Sequence, residues 1–319
     1  MIDHPSILGI HHVTAIASGA QTNYNFYTDV LGLRLVKRTV NFDAPDTHHF
    51  YYGDFAGQPG TLITFFPFEH AAPGRIGTGM ADTTTFAIPE GALEPWMLRF
   101  AELGYETNGP LKRFGADTLG VSDPDGLRIE LVAEVGVKPN FSRSEEFYNR
   151  IPAEHAIRSL HSVSFCVESP ERTARLLTET FDYELIGEEQ SRQRFRVRSG
   201  GPAGIVDIQC NPERMRGQMG AGTVHHVAFR ARDNAEQLKW RESILALGYN
   251  VTRVLDRQYF RSIYFREPDG VLFEIATDPP GFAIDERLDT LGTALKLPAW
   301  LESRRTEIER QLPPINIHS

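Results

Sequence analysis

Residues 223–229 read TVHHVAF and residues 9–15 read GIHHVTA, two apolar, β-branched runs that each carry a pair of histidines at the centre. Alternate residues of a strand face opposite sides, and a buried imidazole needs a hydrogen-bond partner or a metal. Two such runs, more than two hundred residues apart, point to a chain that repeats itself. Helical segments along the chain carry a common period. Trp240, Ile244 and Leu247 recur at helical spacing before Gly248, Trp96, Phe100 and Leu103 before Gly104, and Tyr24, Tyr27 and Leu31 before Gly32. Each glycine suits the left-handed end of a helix. The exits LGL (31–33), LGY (103–105), FDY (181–183) and LGY (247–249) mark four copies. SDPDGLRIELV (122–132) and REPDGVLFEIA (266–276) add a Pro-Asp-Gly turn that launches a last strand with a central glutamate.

The units fall at about 8–68, 79–134, 157–210 and 221–278. The expected fold class is α+β: four βαβββ modules forming two curved-sheet barrels, with an N-terminal pair in 1–140 and a C-terminal pair plus tail in 141–319. The polar stretch 135–156 reads as a linker. The segment after residue 278 combines a loop with a short charged helix and is expected to fold back as a cover.

Aligning the first strands sets His11-His12 over His225-His226 and over His161-Ser162. The apolar face, Val227 and Phe229 with His225, is expected against the helix, which leaves His226, and likewise His12 and Thr14, on the concave face. Aligning the last strands from Gly60, Gly126, Gly204 and Gly270 finds carboxylates only in units two and four, at Glu130 and Glu274. If units one and four pair, His12, His226 and Glu274 converge. Two neutral imidazoles and one carboxylate suit non-haem Fe(II), with Mn(II) an admissible substitute, and leave positions where substrate and O2 can both bind. Glu130 lacks nitrogen partners and reads as a hydrogen-bonded or exposed strand residue. His48 and His49 sit in the middle strands of unit one, where either can line the pocket.

Composition narrows the classes. The chain has 319 residues, 41% hydrophobic and 24% charged, and a formal charge of -9. That balance, without a long basic run, argues against a nucleic-acid partner. No apolar run of about eighteen residues suggests a membrane span and the N-terminus does not read as a signal peptide, so the cytoplasm is the expected location. Cys166 and Cys210 form no CxxC and read as small core residues.

LVKRTVNFD (35–43), GQPGTLITFFPF (57–68), KRFG (112–115), HHVAF (225–229), DRQYFRSIYFREPDGVLFE (256–274) and GFAIDE (281–286) together resemble the vicinal oxygen chelate superfamily. More narrowly, they resemble its hydroquinone-type ring-cleaving dioxygenases, across essentially the whole chain. The resemblance implies iron held by His12, His226 and Glu274, and roles around the bound ring for His11, Thr14, His225, Arg257 and Tyr264. It implies a small aromatic substrate and O2 as partners, and a homo-oligomer is compatible with it. His11 and His225 reach a cavity only if a bulge or twist turns both members of each pair toward it. Two other readings stay open: a glyoxalase-like lyase or isomerase with a closed four-ligand site, which Thr64 serves poorly, and a metal-free protein that only holds an aromatic compound.

Overall fold

The computed structural model describes residues 6–136 and 151–317. Most of the expected linker, and the boundary expected near residue 140, lie outside the described residues. Unit one runs β1 (Ile10–Ala17), α1 (Ala20–Asn25) continued by a wider turn (Phe26–Val30), β2 (Arg34–Asn41), β3 (Ala44–Gly53) and β4 (Leu62–Pro67). Unit two repeats this as β5 (Met80–Pro89), α2 (Leu93–Glu102), β6 (Thr107–Arg113), β7 (Ala116–Ser122) and β8 (Arg128–Glu134). Unit three follows with β9 (Ser159–Val167), α3 (Pro170–Arg175), β10 (Tyr183–Glu189), β11 (Arg192–Val197) and β12 (Ile205–Cys210). Unit four closes the series with β13 (Thr223–Ala231), α4 (Asn234–Ala246), β14 (Leu255–Asp256), β15 (Arg261–Arg266) and β16 (Leu272–Thr277). Helices one, two and four end at Gly32, Gly104 and Gly248 with φ of 67°, 77° and 84°, and in unit three Asp182 takes that left-handed position with φ 60°.

The units pair across the chain. One eight-stranded sheet has the order β14-β15-β16-β13-β1-β4-β3-β2, so it joins units one and four, and the other, β10-β11-β12-β9-β5-β8-β7-β6, joins units two and three. The seams are antiparallel, β1 on β13 and β5 on β9. The helix-facing sides, with Val13, Val227, Phe229 and Trp240 among them, form the main core. Both Pro-Asp-Gly turns are stapled alike. Asp123 Oδ1 accepts from the Asp125 and Leu127 amides at 2.9 and 2.8 Å while Tyr27 of α1's extension donates to Oδ2 at 3.1 Å. Glu267 accepts from the Asp269 and Val271 amides at 3.0 and 2.8 Å and from Thr173 of α3 at 2.6 Å.

The tail does fold back, along the edge strand β2 of unit one. Lys37, fully buried, donates to Asp285 at 2.6 Å and to Glu286, and Tyr259 donates to Asp285 at 3.0 Å. Two of the segments that carried the resemblance, one holding Lys37 and one Asp285-Glu286, therefore meet in space. Beyond them Leu295, Leu297, Leu301 and Ile308 of α5 (Arg305–Gln311) pack on Val40, with Phe42 at the margin of this cluster. Among the described residues no helix is long and apolar enough to cross a membrane. Cys166 is buried, whereas Cys210 is only partly so, and both are free.

Candidate metal centre

The two histidine pairs lie at irregularities in the seam. Ile10 faces Phe229 and His12 faces Ala228, which leaves His11 as the extra residue of a bulge; Thr14 faces His226 and Ala15 faces Val224, which does the same for His225. A bulge turns two consecutive side chains toward nearby directions, so the second histidine of each pair can point at the centre while the first stays beside it. The other seam has the same two irregularities, at Asp82 and His161.

His12, His226 and Glu274 converge, all buried, with ligand atoms within 4.8 Å of one another. His12 Nε2 and His226 Nε2 are 3.3 Å apart. Glu274 Oε2 lies 2.8 Å from His226 Nε2 and 3.4 Å from His12 Nε2, yet meets neither in hydrogen-bond geometry. Three donor atoms facing one point with a buried carboxylate oxygen left over fit a divalent metal. Burial alone would raise Glu274, but the two imidazoles prevail and hold it well below the usual carboxylate range. Its second oxygen accepts from Ser262, a fully buried hydroxyl on the neighbouring strand.

Each ligand histidine is braced by its neighbour. Nδ1 of His12 is 2.9 Å from Nδ1 of His11, and Nδ1 of His226 is 2.8 Å from Nδ1 of His225, with each pair of rings near perpendicular. A neutral imidazole offering Nε2 to a metal carries its proton on Nδ1. Nδ1 of His11 and His225 must then accept, so these two rings carry their own protons on Nε2. Their environment agrees: burial, then the adjacent ring, lowers His11 well below the ordinary histidine value and His225 to about 3.

The triad opens on a cavity of about 390 Å³ with an aromatic floor that includes Phe42, Phe66, Phe68 and Phe260. His49, Tyr51, His225, Arg257 and Tyr264 supply its polar wall. Arg257 pairs with Asp43 at 3.1 Å and lies over the Tyr264 ring at 5.5 Å. Tyr264 faces Glu274 in register and its ring stands 5.5 Å from His226. Of the residues singled out in the sequence, His49, His225, Arg257 and Tyr264 thus reach the cavity. Thr14 does not line it and bonds Thr64 at 2.8 Å, and His11 borders a separate pocket of about 230 Å³ with Phe260 between the two spaces. His48 turns away to the carbonyl of Pro313 at 2.9 Å. Ser262, Tyr51 and Phe260 escaped the sequence reading. Ser262 was the most findable, as a hydroxyl two residues before Tyr264 on the same strand.

One sequence alignment needs correction. Asp207 faces Ser164 as Thr64 faces Thr14, Glu274 faces Ala228 and Glu130 faces Thr85, so unit three also places a carboxylate at this point. Counting four residues on from Gly204, as from the other three glycines, lands on Ile208, one residue past Asp207, and a slip by one reverses the face. In the second sheet the sites of the triad hold Ser162, Thr83 and Glu130. Glu130 pairs with Arg113 at 2.8 Å, and Asp207 takes both arms of Arg194 at 2.8 Å. Guanidinium groups occupy this sheet where the first gathers imidazoles.

Residues 9–131 and 159–275 match the Glyoxalase/Bleomycin resistance protein/Dioxygenase superfamily. MhqO of Bacillus subtilis (strain 168), whose name assigns it as a ring-cleaving dioxygenase, is 43% identical over 97% of this chain and 97% of its own. The chlorohydroquinone/hydroquinone 1,2-dioxygenase of Sphingobium indicum is 32% identical over 95% of each chain. A Bacillus subtilis subsp. subtilis str. 168 protein, crystallised under the description of a dioxygenase, superposes with a TM-score of 0.93 at 43% identity, covering 98% of this chain and 99% of that one.

Proposed function

This chain belongs to the Glyoxalase/Bleomycin resistance protein/Dioxygenase superfamily, and from that premise we propose that it is an Fe(II)-dependent enzyme that opens the ring of a hydroquinone or related dihydroxy aromatic with O2. The observation that carries the reading is a three-ligand centre whose fourth register position is closed to coordination. That position holds Thr64, whose hydroxyl is shared between Thr14 at 2.8 Å and His49 at 3.0 Å. A glyoxalase-like closed site would want a carboxylate or imidazole there. His12, His226 and Glu274 would hold the iron, which would supply the redox chemistry toward O2.

The remaining roles belong to the protein. The aromatic floor excludes water and orients a flat ring. Arg257, a fixed positive charge in a low-dielectric pocket, stabilises negative charge that builds on a ring oxygen. Tyr264 Oη keeps its proton across the working range, because burial and then Glu274 raise it, and it serves as a hydrogen-bond donor to a substrate oxygen. His225, neutral with its proton on Nε2, can give or take a proton at that atom. Two free cysteines accord with a reducing, cytoplasmic setting, with the aromatic substrate and O2 as the small-molecule partners.

Anaerobic loading with Fe(II), followed by an oxygen-electrode assay across hydroquinones, catechols and methylglyoxal hemithioacetal, tests the reading. Oxygen uptake with a dihydroxy aromatic, with both atoms of ¹⁸O2 found in the product, is the expected result. Iron bound in full with no uptake from any of the aromatics overturns it.

A further inference from the structure

On the cavity side opposite Glu274 a chain of four polar side chains runs through the sheet. Tyr51 Oη lies 2.9 Å from His49 Nδ1, His49 Nε2 lies 3.0 Å from Thr64 Oγ1, and Thr64 Oγ1 lies 2.8 Å from Thr14 Oγ1. Distances alone leave the direction of each hydrogen bond open, but counting protons and then asking which donors are buried decides it. Two threonine hydroxyls, one tyrosine hydroxyl and one neutral imidazole bring four protons to three links. One proton is therefore surplus, at Thr14, at Tyr51 or at Thr64, whose hydroxyl can accept from both of its neighbours. One end is Thr14, fully buried, whose hydroxyl meets only Thr64 among the described residues. The other end is Tyr51, which lines the cavity. A surplus proton at Thr14, or at the equally buried Thr64, would be a buried donor without a partner. At Tyr51 it faces the space where an aromatic compound would sit.

We propose that Tyr51 is a substrate-contacting hydrogen-bond donor, its proton turned into the cavity by a one-way chain in which Thr14 donates to Thr64, Thr64 donates to His49 Nε2, and His49 Nδ1 donates to Tyr51. The ligand feature it recognises is an oxygen acceptor on the ring: a hydroxyl lone pair, a phenolate or a carbonyl. His49, Thr64 and Thr14 are positioning residues that act through it. Burial, with His12 and His226 adding to it, holds His49 well below the ordinary histidine range, in keeping with a neutral ring that accepts at Nε2. Tyr51 is likewise raised, first by burial, so it stays a donor. Thr64 gains a use that explains its place: where the opposite half presents Glu274, this half presents a hydroxyl that both accepts and donates.

The substrate part of this inference rests on the reading of the cavity as a site for a dihydroxy aromatic; the direction of the chain does not. Long-range ¹H–¹⁵N spectra of ¹⁵N-histidine-labelled protein, with the His49 signal assigned through His49→Gln, are expected to show the proton on Nδ1. A proton on Nε2 overturns the proposal whatever the substrate is. Anaerobic binding of hydroquinone to the iron-loaded protein supplies the second arm. Tyr51→Phe is expected to weaken binding about five- to thirtyfold, with iron content unchanged. Thr64→Val is expected to weaken it in the same direction and Thr64→Ser to restore it. Wild-type affinity in Tyr51→Phe overturns the donor role. Absence of hydroquinone binding in the wild type defeats the substrate reading instead, and the position of the His49 proton still decides the chain.

Discussion

The centre depends on a few atoms that no neighbour can replace. Glu274→Gln exchanges a carboxylate for an amide that cannot neutralise a divalent charge, and His226→Ala removes a ligand atom. Each is expected to leave the protein folded but unable to retain iron through gel filtration, as metal analysis would show. Ser262→Ala leaves one Glu274 oxygen without its donor and should weaken iron binding about ten- to a hundredfold. Tyr264→Phe should keep iron and lose turnover, since its hydroxyl is not among the converging atoms. The triad was legible from sequence because a repeat makes equivalent positions comparable: His12 and His226 announced each other. Ser262 and Tyr51 had no such echo. Their importance comes from what lies across a strand, and a single chain read in order does not display its cross-strand neighbours.

Elements were legible where period and punctuation agreed, and less so where the backbone departs from ideal pairing. The helices of units one, two and four follow from apolar spacing, and their left-handed exits from the glycines that end them. The bulges at His11 and His225 do not, since simple alternation assigns those side chains to the helix side. The slip at Asp207 has the same origin: glycine-to-strand spacing differs by one residue between units. The stapled turns carry a pH signature of their own. Burial pushes Asp123 up to about 6, against the hydrogen bonds it accepts, whereas an unfolded aspartate titrates near 3.9. The folded state therefore holds a proton that the unfolded chain has lost between about pH 4 and pH 6, and stability falls as pH rises through that window. Asp123→Asn removes this share of the slope. Relative to wild type, the variant should gain up to about 3 kcal/mol between pH 4 and pH 7, read from urea midpoints; parallel pH profiles of the two proteins would refute it.

At the scale of the molecule, the tail and the sheet are locked by charge. Lys37 is enclosed with Asp285 and Glu286, which follow shortly after Phe282, whose ring packs on Tyr51 at 5.1 Å. Removing one member of a buried set leaves the others uncompensated, so Lys37→Met is expected to cost about 3–5 kcal/mol in urea denaturation; a loss below about 1 kcal/mol would show the tail held by its apolar contacts alone. The sequence revealed the tail's helix and its return but not its anchor, because a lysine inside a strand looks like any solvated charge until its partners arrive from about 250 residues away. The pairing of the first unit with the last has a consequence for biosynthesis. The opening strand leaves the ribosome long before its seam partner exists, and His12 waits for a residue 214 positions later. Newly made chain must keep that strand's free edge from foreign partners until the fourth unit has been synthesised, which makes metal capture wait for that unit and acquired iron a marker that the first and fourth units have joined.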